Sequence, residues 1–385
     1  MADGGSKALL VIGASEHDAA AYHLSGFLAP DPVICLEAAG KKYLAVSSME
    51  YGRAKKQSHA DEVLSFDELG VQKLSRELKS GGRAMAAAAA GLLEKLGADS
   101  IAVPPTLGII YADELRARGL EVSPEAKLFA DLRRSKTEEE ISHLEKTQRD
   151  VEAACAQTVE ILRNSEVAEN GTLVWDGETL TSERLRYVID SELLRRGCDA
   201  EGTITAGGSQ AADPHDRGHG PLRAGESIIL DIFPRDQSSR YYADMTRTFV
   251  KGEPNEGLQE MYDAVLESQE AALDMIRAGV NGRDMHRKVS EVLHEKGYKT
   301  LVHDQKEGEP LQEGFIHGTG HGVGLEIHEG PRISISDEEL ISGDVVSVEP
   351  GLYYAEAGGV RIEDLVVVTE DGCRNLTEFP KEFRL

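Results

Sequence analysis

The sequence predicts two domains of different class: a smaller α/β domain over residues 1–135 and a larger α+β domain over residues 136–385. Three observations predict it. Strand-like and helix-like segments alternate up to about residue 135. A helix-start signature stands at Thr137. Beyond it, one helix-plus-hairpin pattern is written twice. At 385 residues with 40% hydrophobic content, the chain is long for one domain and apolar enough for more than one core.

In the first region, Leu9–Ile12, Val33–Cys35, Tyr43–Val46 and Ser100–Val103 read as strands, and Asp67–Leu78 and Ala84–Leu96 as helices. The run Ala86–Ala90 signals helix by propensity. His17, His23 and His59 stand without ligand spacing, so no chemistry is expected there. The apolar run Ala8–Ile12 is too short for a signal peptide or a membrane span. Cys35, Cys155, Cys198 and Cys373 are scattered with no metal spacing, as expected of idle thiols in a reducing compartment, so a cytoplasmic location is expected. A formal net charge of -26 argues against nucleic acid as a partner, because phosphate binding needs a basic surface.

At the junction, Thr137 and Glu140 fit a capping box. Ile141, Leu144, Val151, Thr158 and Leu162 then make the buried stripe of a long helix, which leaves His143 exposed. The repeat follows. Glu183–Gly197 and Arg283–Gly297 are amphipathic helices of one shape, with Leu185, Ile189 and Leu193 matching Met285, Val289 and Leu293. Basic residues in each last turn and a glycine after it suit a helix C-terminus.

Each copy continues into an apolar strand carrying an acid. In the first copy Ile228–Phe233 carries Asp231, and the strand Tyr241–Phe249 returns with Asp244 after a turn at Pro234–Arg240. Alternation sets Ile229, Asp231 and Phe233 on one face, and Tyr242, Asp244 and Thr246 on one face of the return strand, so the two acids are expected to oppose each other. In the second copy Val345–Glu349 ends on Glu349, and Arg361–Val367 returns with Glu363. One such acid alone would be explained by an ion pair with Arg247 or by a solvated face. Four at matching places in two halves predict a pseudo-symmetric site between them that calls for positive charge.

The histidines gather in the same halves. His317, His321 and His328 lie within twelve residues, separated by Gly318, Gly320, Gly322 and Gly324, a loop or bulged strand that lets backbone approach closely. Three histidines beside four placed acids favour a metal or catalytic site. His215 and His219 precede the strand of Asp231, and His286, His294 and His303 are set aside.

These residues carry a family resemblance. Asp231, the run Asp244–Phe249, the run His317–His328, Val348–Gly351 and Arg361–Asp364 resemble the pita-bread metallopeptidases, the clan of methionine aminopeptidase, aminopeptidase P and prolidase. The region before them is similar to the creatinase-type domain that precedes the catalytic domain in aminopeptidase P, prolidase and creatinase, which disfavours the methionine aminopeptidase branch. The resemblance implies an α+β pita-bread domain after an α/β domain, and hydrolysis of Xaa-Pro bonds in peptides or dipeptides. It implies two divalent ions held by Asp231, Asp244, His321, Glu349 and Glu363, with Asp244 and Glu363 bridging. It further implies that the ions activate a hydroxide, that Glu349 shuttles a proton, and that His317 and His328 bind substrate and stabilise the tetrahedral intermediate. His215 matches a histidine near the leaving group, and Arg361 would order the ligand carboxylates. Oxygen-rich ligation with one imidazole favours Mn²⁺, with Co²⁺, Fe²⁺ or Zn²⁺ as alternatives. A homodimer is implied by the family alone.

The chain departs from the family in two respects, both in one hairpin. Asp231 and Asp244 are thirteen positions apart, two more than usual, and Phe233-Pro234-Arg235 replaces the glycine that commonly follows the first strand. An even insertion keeps the acids facing alike. The competing function is a metal-free creatinase-like hydrolase or a binding module on the same scaffold. Such relatives replace several ligands, whereas all five are present here.

Overall fold

The alternating segments of the N-terminal region form one mixed sheet in the computed structural model, which describes residues 7–200 and 202–385. Its strands are β1 (Ala8–Gly13), β2 (Val33–Ala38), β3 (Lys41–Val46), β4 (Glu62–Ser65), β5 (Ser100–Val103) and β6 (Glu121–Pro124), in the order β4-β3-β2-β1-β5-β6. β4 and β6 were not expected. Each has four residues and begins on a glutamate, too short for alternation to register. The helices are α1 (Ala19–Ser25), α2 (Ser48–Gln57), α3 (Val71–Leu78), α4 (Gly81–Lys95), α5 (Ile109–Ala117) and α6 (Ala126–Arg134). The helix expected from Asp67 starts only at Val71, because Gly70 takes a left-handed φ of 69° and Asp67–Leu69 form a turn before it. The apolar face of α4, with Ala86, Ala89 and Leu93 buried, packs among Leu10, Leu36 and Ile101 of the sheet.

Contacts divide the chain into two units, Met1–Arg133 and Arg134–Leu385. The second begins with α7 (Glu138–Asn164). Thr137 and Glu140 form the full capping box, and all five residues of the expected stripe are buried. His143 departs from expectation: it is half-buried, stacked on Tyr241 at 5.8 Å between ring centroids. A small meander follows, β7 (Glu166–Val167), β8 (Leu173–Trp175) and β9 (Glu178–Thr179), then α8 (Ser182–Arg195).

The first half then lays down β10 (Cys198–Asp199), β11 (Ile204–Gly207), β12 (Ser227–Ile232), β13 (Arg235–Asp236) and β14 (Met245–Val250). β11, β12 and β14 form an antiparallel sheet, and the tip expected to be a plain turn contains β13, which pairs with β10. The second half repeats the plan with α9 (Leu258–Leu273) and α10 (Gly282–Glu295). Its strands are β15 (Gly320–Gly322), β16 (Glu329–Ile333), β17 (Val345–Val348), β18 (Gly351–Tyr354), β19 (Gly358–Arg361), β20 (Asp364–Val368) and β21 (Cys373–Asn375). The main sheet has the order β16-β15-β17-β20-β21.

Each half packs its own core. Val151, Leu162, Leu185, Ile189 and Leu193 meet Ile228, Leu230 and Phe249 in one. Met261, Val265, Met285, Val289 and Leu293 meet Val346, Val348 and Val366 in the other. α8 and α10 each have 14 residues, and the glycines after them, Gly197 and Gly297, have φ of 80° and 89°. Among the described residues, no helix is long and apolar enough to cross a membrane.

Candidate metal centre and active site

Two hairpins meet where the halves join. In the first, Asp231 lies on β12 opposite Thr246 of β14 on one side and Ile204 of β11 on the other. Asp244 was expected on the return strand directly across from Asp231. It instead sits just before β14, which begins at Met245, one strand repeat beyond Thr246 on the same face. In the second hairpin Glu349 directly follows β17. The single return strand expected from Arg361 is broken, with β19 ending at Arg361, β20 starting at Asp364, and Glu363 at the break. Strand ends release these side chains from the ladder and let acids of both halves converge.

Hydrogen bonds tie the two halves at this point. The Glu363 N–H donates to the Thr246 carbonyl at 3.1 Å, and Thr246 Oγ1 donates to Glu363 Oε2 at 2.8 Å. Arg361 Nε donates to Thr246 Oγ1 at 3.2 Å, and its Nη2 donates to Asp231 Oδ2 at 2.6 Å. Behind them Arg247, 1% exposed, donates to the carbonyls of Thr246, Glu363, Phe379 and Pro380 and to Asp364 Oδ1, which uses its planar donor fork in full.

His321 comes from β15, whose ladder with β16 shifts register between His321 and Gly322. Close backbone approach explains the flanking glycines: a Cβ at Gly320 would lie 1.9 Å from the Ser347 carbonyl oxygen, and one at Gly322 would lie 2.1 Å from that of Gly330. His321 Nδ1 lies 3.1 Å from the Gly322 carbonyl, so Nδ1 carries a proton and donates it. Nε2 faces Glu349 Oε1 at 3.3 Å and Asp244 Oδ2 at 3.8 Å. Either a proton on Nε2 or a cation must stand there, because a bare nitrogen lone pair facing carboxylates is repulsive.

Ligand atoms of Asp244, His321 and Glu363 lie within 4.8 Å of one another, all three residues buried. Burial, reinforced by neighbouring negative charge, pushes the carboxyls of Asp244 and Glu363 well above the usual range; the largest such neighbours are Glu363 for Asp244 and Glu349 for Glu363. Asp231 is raised by burial, opposed by Arg361. Burial also works to raise Glu349, but the hydrogen bond and charge of His321 outweigh it and set its carboxyl at about 2. Several acids pressed together at the cost of their ionisation, beside an imidazole aimed at them, fit a divalent cation.

All nine residues singled out from the sequence line one cavity of about 740 Å³: His215, Asp231, Asp244, His317, His321, His328, Glu349, Arg361 and Glu363. Phe233, from the extended hairpin, lines it too, with Ile204, Ile316, Ile327 and Arg332. His215 and His328 are exposed there. Although His328 is exposed as a residue, its ring packs edge to face on His321 at 4.4 Å between ring centroids. That partial loss of water, aided by the charge of His321, lowers the ring to about 4, so it is neutral near pH 7. His219 is exposed and does not line the cavity; its N–H donates to Gln210 Oε1.

The surroundings of His317 were not foreseen. Tyr353, fully buried, accepts from Arg361 Nη1 at 2.8 Å and lies 2.9 Å from His317 Nε2. Burial holds its phenol at about 12, so the hydroxyl keeps its proton and donates it to His317 Nε2. His317 Nδ1 then donates to the Gly318 carbonyl at 2.7 Å, which fixes one tautomer. The histidine set aside at position 286 is also buried, with Nδ1 3.0 Å from Thr319 Oγ1, inside the loop between His317 and His321. Only Thr246 was legible, by sharing the face of Asp244.

Cys198 lies 3.6 Å from Asp150, near Asp236, but Lys146 Nζ occupies that cluster, 2.9 Å from Asp150 and 2.5 Å from Asp236. All four cysteines are free.

Residues 142–370 match the model of metallopeptidase family M24. A Xaa-Pro dipeptidase of Pyrococcus furiosus is 35% identical over 262 residues, 66% of this chain and 66% of that protein, just under two thirds of its length. A Xaa-Pro dipeptidase of Pyrococcus horikoshii is 31% identical over 295 residues, 74% of this chain and 75% of its own. The crystal structure of an X-Pro aminopeptidase from Thermotoga maritima superposes with a TM-score of 0.78 at 26% identity, covering 98% of this chain and 97% of that one.

Proposed function

Because the chain belongs to metallopeptidase family M24, we propose that it is a metal-dependent peptidase that hydrolyses the Xaa-Pro bond of dipeptides or longer peptides. The catalytic reading applies to residues 136–385, with residues 1–135 as a separate N-terminal domain. The observation that carries it is the aim of His321 Nε2 at Glu349 and Asp244 inside a cavity that Asp231 and Glu363 also line. Asp231, Asp244, His321, Glu349 and Glu363 would hold two divalent ions, of which Mn²⁺ best suits oxygen-rich ligation with one imidazole. When bound, such ions polarise the scissile carbonyl and make water a competent nucleophile at neutral pH.

The chain's own groups supply the rest. Glu349, ionised at neutral pH and open to the cavity, accepts a proton from the attacking water and returns it to the leaving amine. His328, neutral and exposed, donates an N–H to the oxygen on which negative charge develops. His317 has both nitrogens engaged, so it acts as a fixed wall beside the substrate and Tyr353 sets its orientation. Arg361 holds Asp231. His215, at the cavity rim, faces the leaving residue. Arg332, exposed and opposite His321 in the β15/β16 ladder, is placed to meet a substrate carboxylate, which brings dipeptides within reach. The free thiols are consistent with a cytoplasmic location. The homodimer rests on family resemblance.

The test is hydrolysis of Xaa-Pro dipeptides and Xaa-Pro-Yaa tripeptides by purified protein with added Mn²⁺, and again with a chelator. Metal-dependent release of Xaa is expected. Retained metal with no cleavage of any Xaa-Pro peptide would instead make the protein a binding module.

A further inference from the structure

Two glutamines stand behind the acids in places that the duplication relates. Gln148 lies on α7, the helix that opens the first half, and Gln269 on α9, which opens the second; both are 0% exposed. A buried primary amide is costly unless its hydrogen bonds are met, so its partners are informative. Gln148 Oε1 accepts the Asp244 N–H at 3.3 Å, and Gln148 Nε2 donates to the Asp244 carbonyl at 3.3 Å. The side chain thus grips one residue by both of its backbone groups, as a neighbouring strand would. That residue comes just before β14, where no ladder partner holds it.

Gln269 does the corresponding work in the other half. Its Nε2 donates to the Val348 carbonyl at 2.9 Å and to the Ile362 carbonyl at 3.2 Å. Those residues immediately precede Glu349, which follows β17, and Glu363, which stands in the break between β19 and β20. The separations are close as well, differing by three positions: Gln148 is 96 positions from Asp244, and Gln269 is 93 positions from Ile362. Gln148 also crosses to the second half. Its Nε2 donates to Thr377 Oγ1 at 3.0 Å, and that oxygen accepts the Leu365 N–H at 2.9 Å, two residues beyond Glu363.

We propose that Gln148 and Gln269 are a pseudo-twofold pair of positioning residues that hold the backbone beside Asp244, Glu349 and Glu363, so that the acids of both halves meet a metal ion without rearranging. The inference rests on the reading that those acids bind metal. A rigid helix supplies each brace, and the freed strand end supplies the acid. The halves are unequal in one respect. Both amide atoms of Gln148 are bonded, whereas Gln269 Oε1 has no partner among the described residues. Replacing Gln269 therefore removes an unmet acceptor along with its bonds and disturbs the fold less.

The experiment compares Gln148→Met and Gln269→Met with the wild type in full-length protein. Mn²⁺ affinity is read by chelator competition, and melting is read without metal. Thr158→Val is the control: Thr158 is equally buried on α7, but its hydroxyl bonds only Ala154 of the same helix. Each glutamine variant should bind Mn²⁺ about 10–100-fold more weakly, the usual effect of removing a group that orients metal ligands. Thr158→Val should leave affinity unchanged whatever it does to melting. Affinity equal to wild type in either glutamine variant, even with lowered melting, would reduce the pair to core packing and overturn the inference. Gln269→Met decides should Gln148→Met not fold. Wild-type protein that takes up no Mn²⁺ would overturn the metal reading itself, an outcome distinct from equal uptake by all forms.

Discussion

Tyr353→Phe removes one oxygen from a fully buried ring and changes nothing else in shape. That oxygen accepts from Arg361 Nη1 at 2.8 Å and donates to His317 Nε2 at 2.9 Å, so its loss strands the His317 acceptor and leaves Arg361 Nη1 with only the Pro214 carbonyl at 3.5 Å. A buried polar group left unpaired costs about 1–3 kcal/mol. Arg361 keeps Asp231 and Thr246, which places its share at the low end. The sum is about 2–4 kcal/mol of stability. For a unit of this size that is a fall in Tm of about 5–15 °C. His317 also loses the contact that fixes its tautomer, so its ring can turn and widen the substrate wall. A loss of about 10–100-fold in kcat/KM on an Xaa-Pro dipeptide corresponds to about 1.4–2.8 kcal/mol of transition-state stabilisation. Differential scanning calorimetry and steady-state kinetics of the two proteins at saturating Mn²⁺ read both effects. A variant with unchanged Tm and kcat/KM would show that the hydroxyl is not the hinge between Arg361 and His317.

Asp244 and Glu363 have carboxyls raised above their unfolded values. A group raised in the folded state contributes stability below its unfolded pKa and loses it as pH climbs through the folded value. Metal-free protein should therefore become less stable as pH rises from about 4 toward neutrality, and Mn²⁺ should reverse the loss most at the upper end. Glu349, held at about 2, has the opposite sign: its contribution is present above the unfolded carboxylate pKa and disappears as pH falls toward 2, outside that window. Melting followed against pH in chelator isolates the term when Asp244→Asn is run beside the wild type; equal slopes would contradict the coupling. Thr137→Ala deletes the hydroxyl that caps α7 and should cost about 1 kcal/mol with kcat/KM unchanged. A fall in turnover at equal stability would mean that the cap also communicates with the cavity.

The elements that the sequence announced were those with long apolar periodicity. The stripe of α7 and the matched triplets of α8 and α10 are visible because burial on one helix face repeats over several turns. The acids were visible because each interrupts an apolar strand, and the histidines because glycines crowd around them. Strand ends were not visible. Nothing local says that Asp244 stands outside β14, or that the chain breaks at Glu363, since both follow from how the halves meet. Tyr353, Gln148, Gln269 and His286 escaped for a related reason. An aromatic or amide at a buried helical or strand position reads as core, and its hydrogen bonds go to backbone remote in sequence. Thr246 differs, because alternation alone puts it on the face of Asp244.

The most direct measurement is the metal content of purified protein after incubation with Mn²⁺ and desalting, for the wild type, His321→Ala and Glu363→Ala, with Xaa-Pro hydrolysis read on the same samples. Two ions per chain are expected in the wild type, with metal and turnover lost together in both variants while the fold persists by circular dichroism. Wild-type protein that cleaves Xaa-Pro peptides with no bound metal, or variants that keep full metal and full turnover, would contradict the assignment.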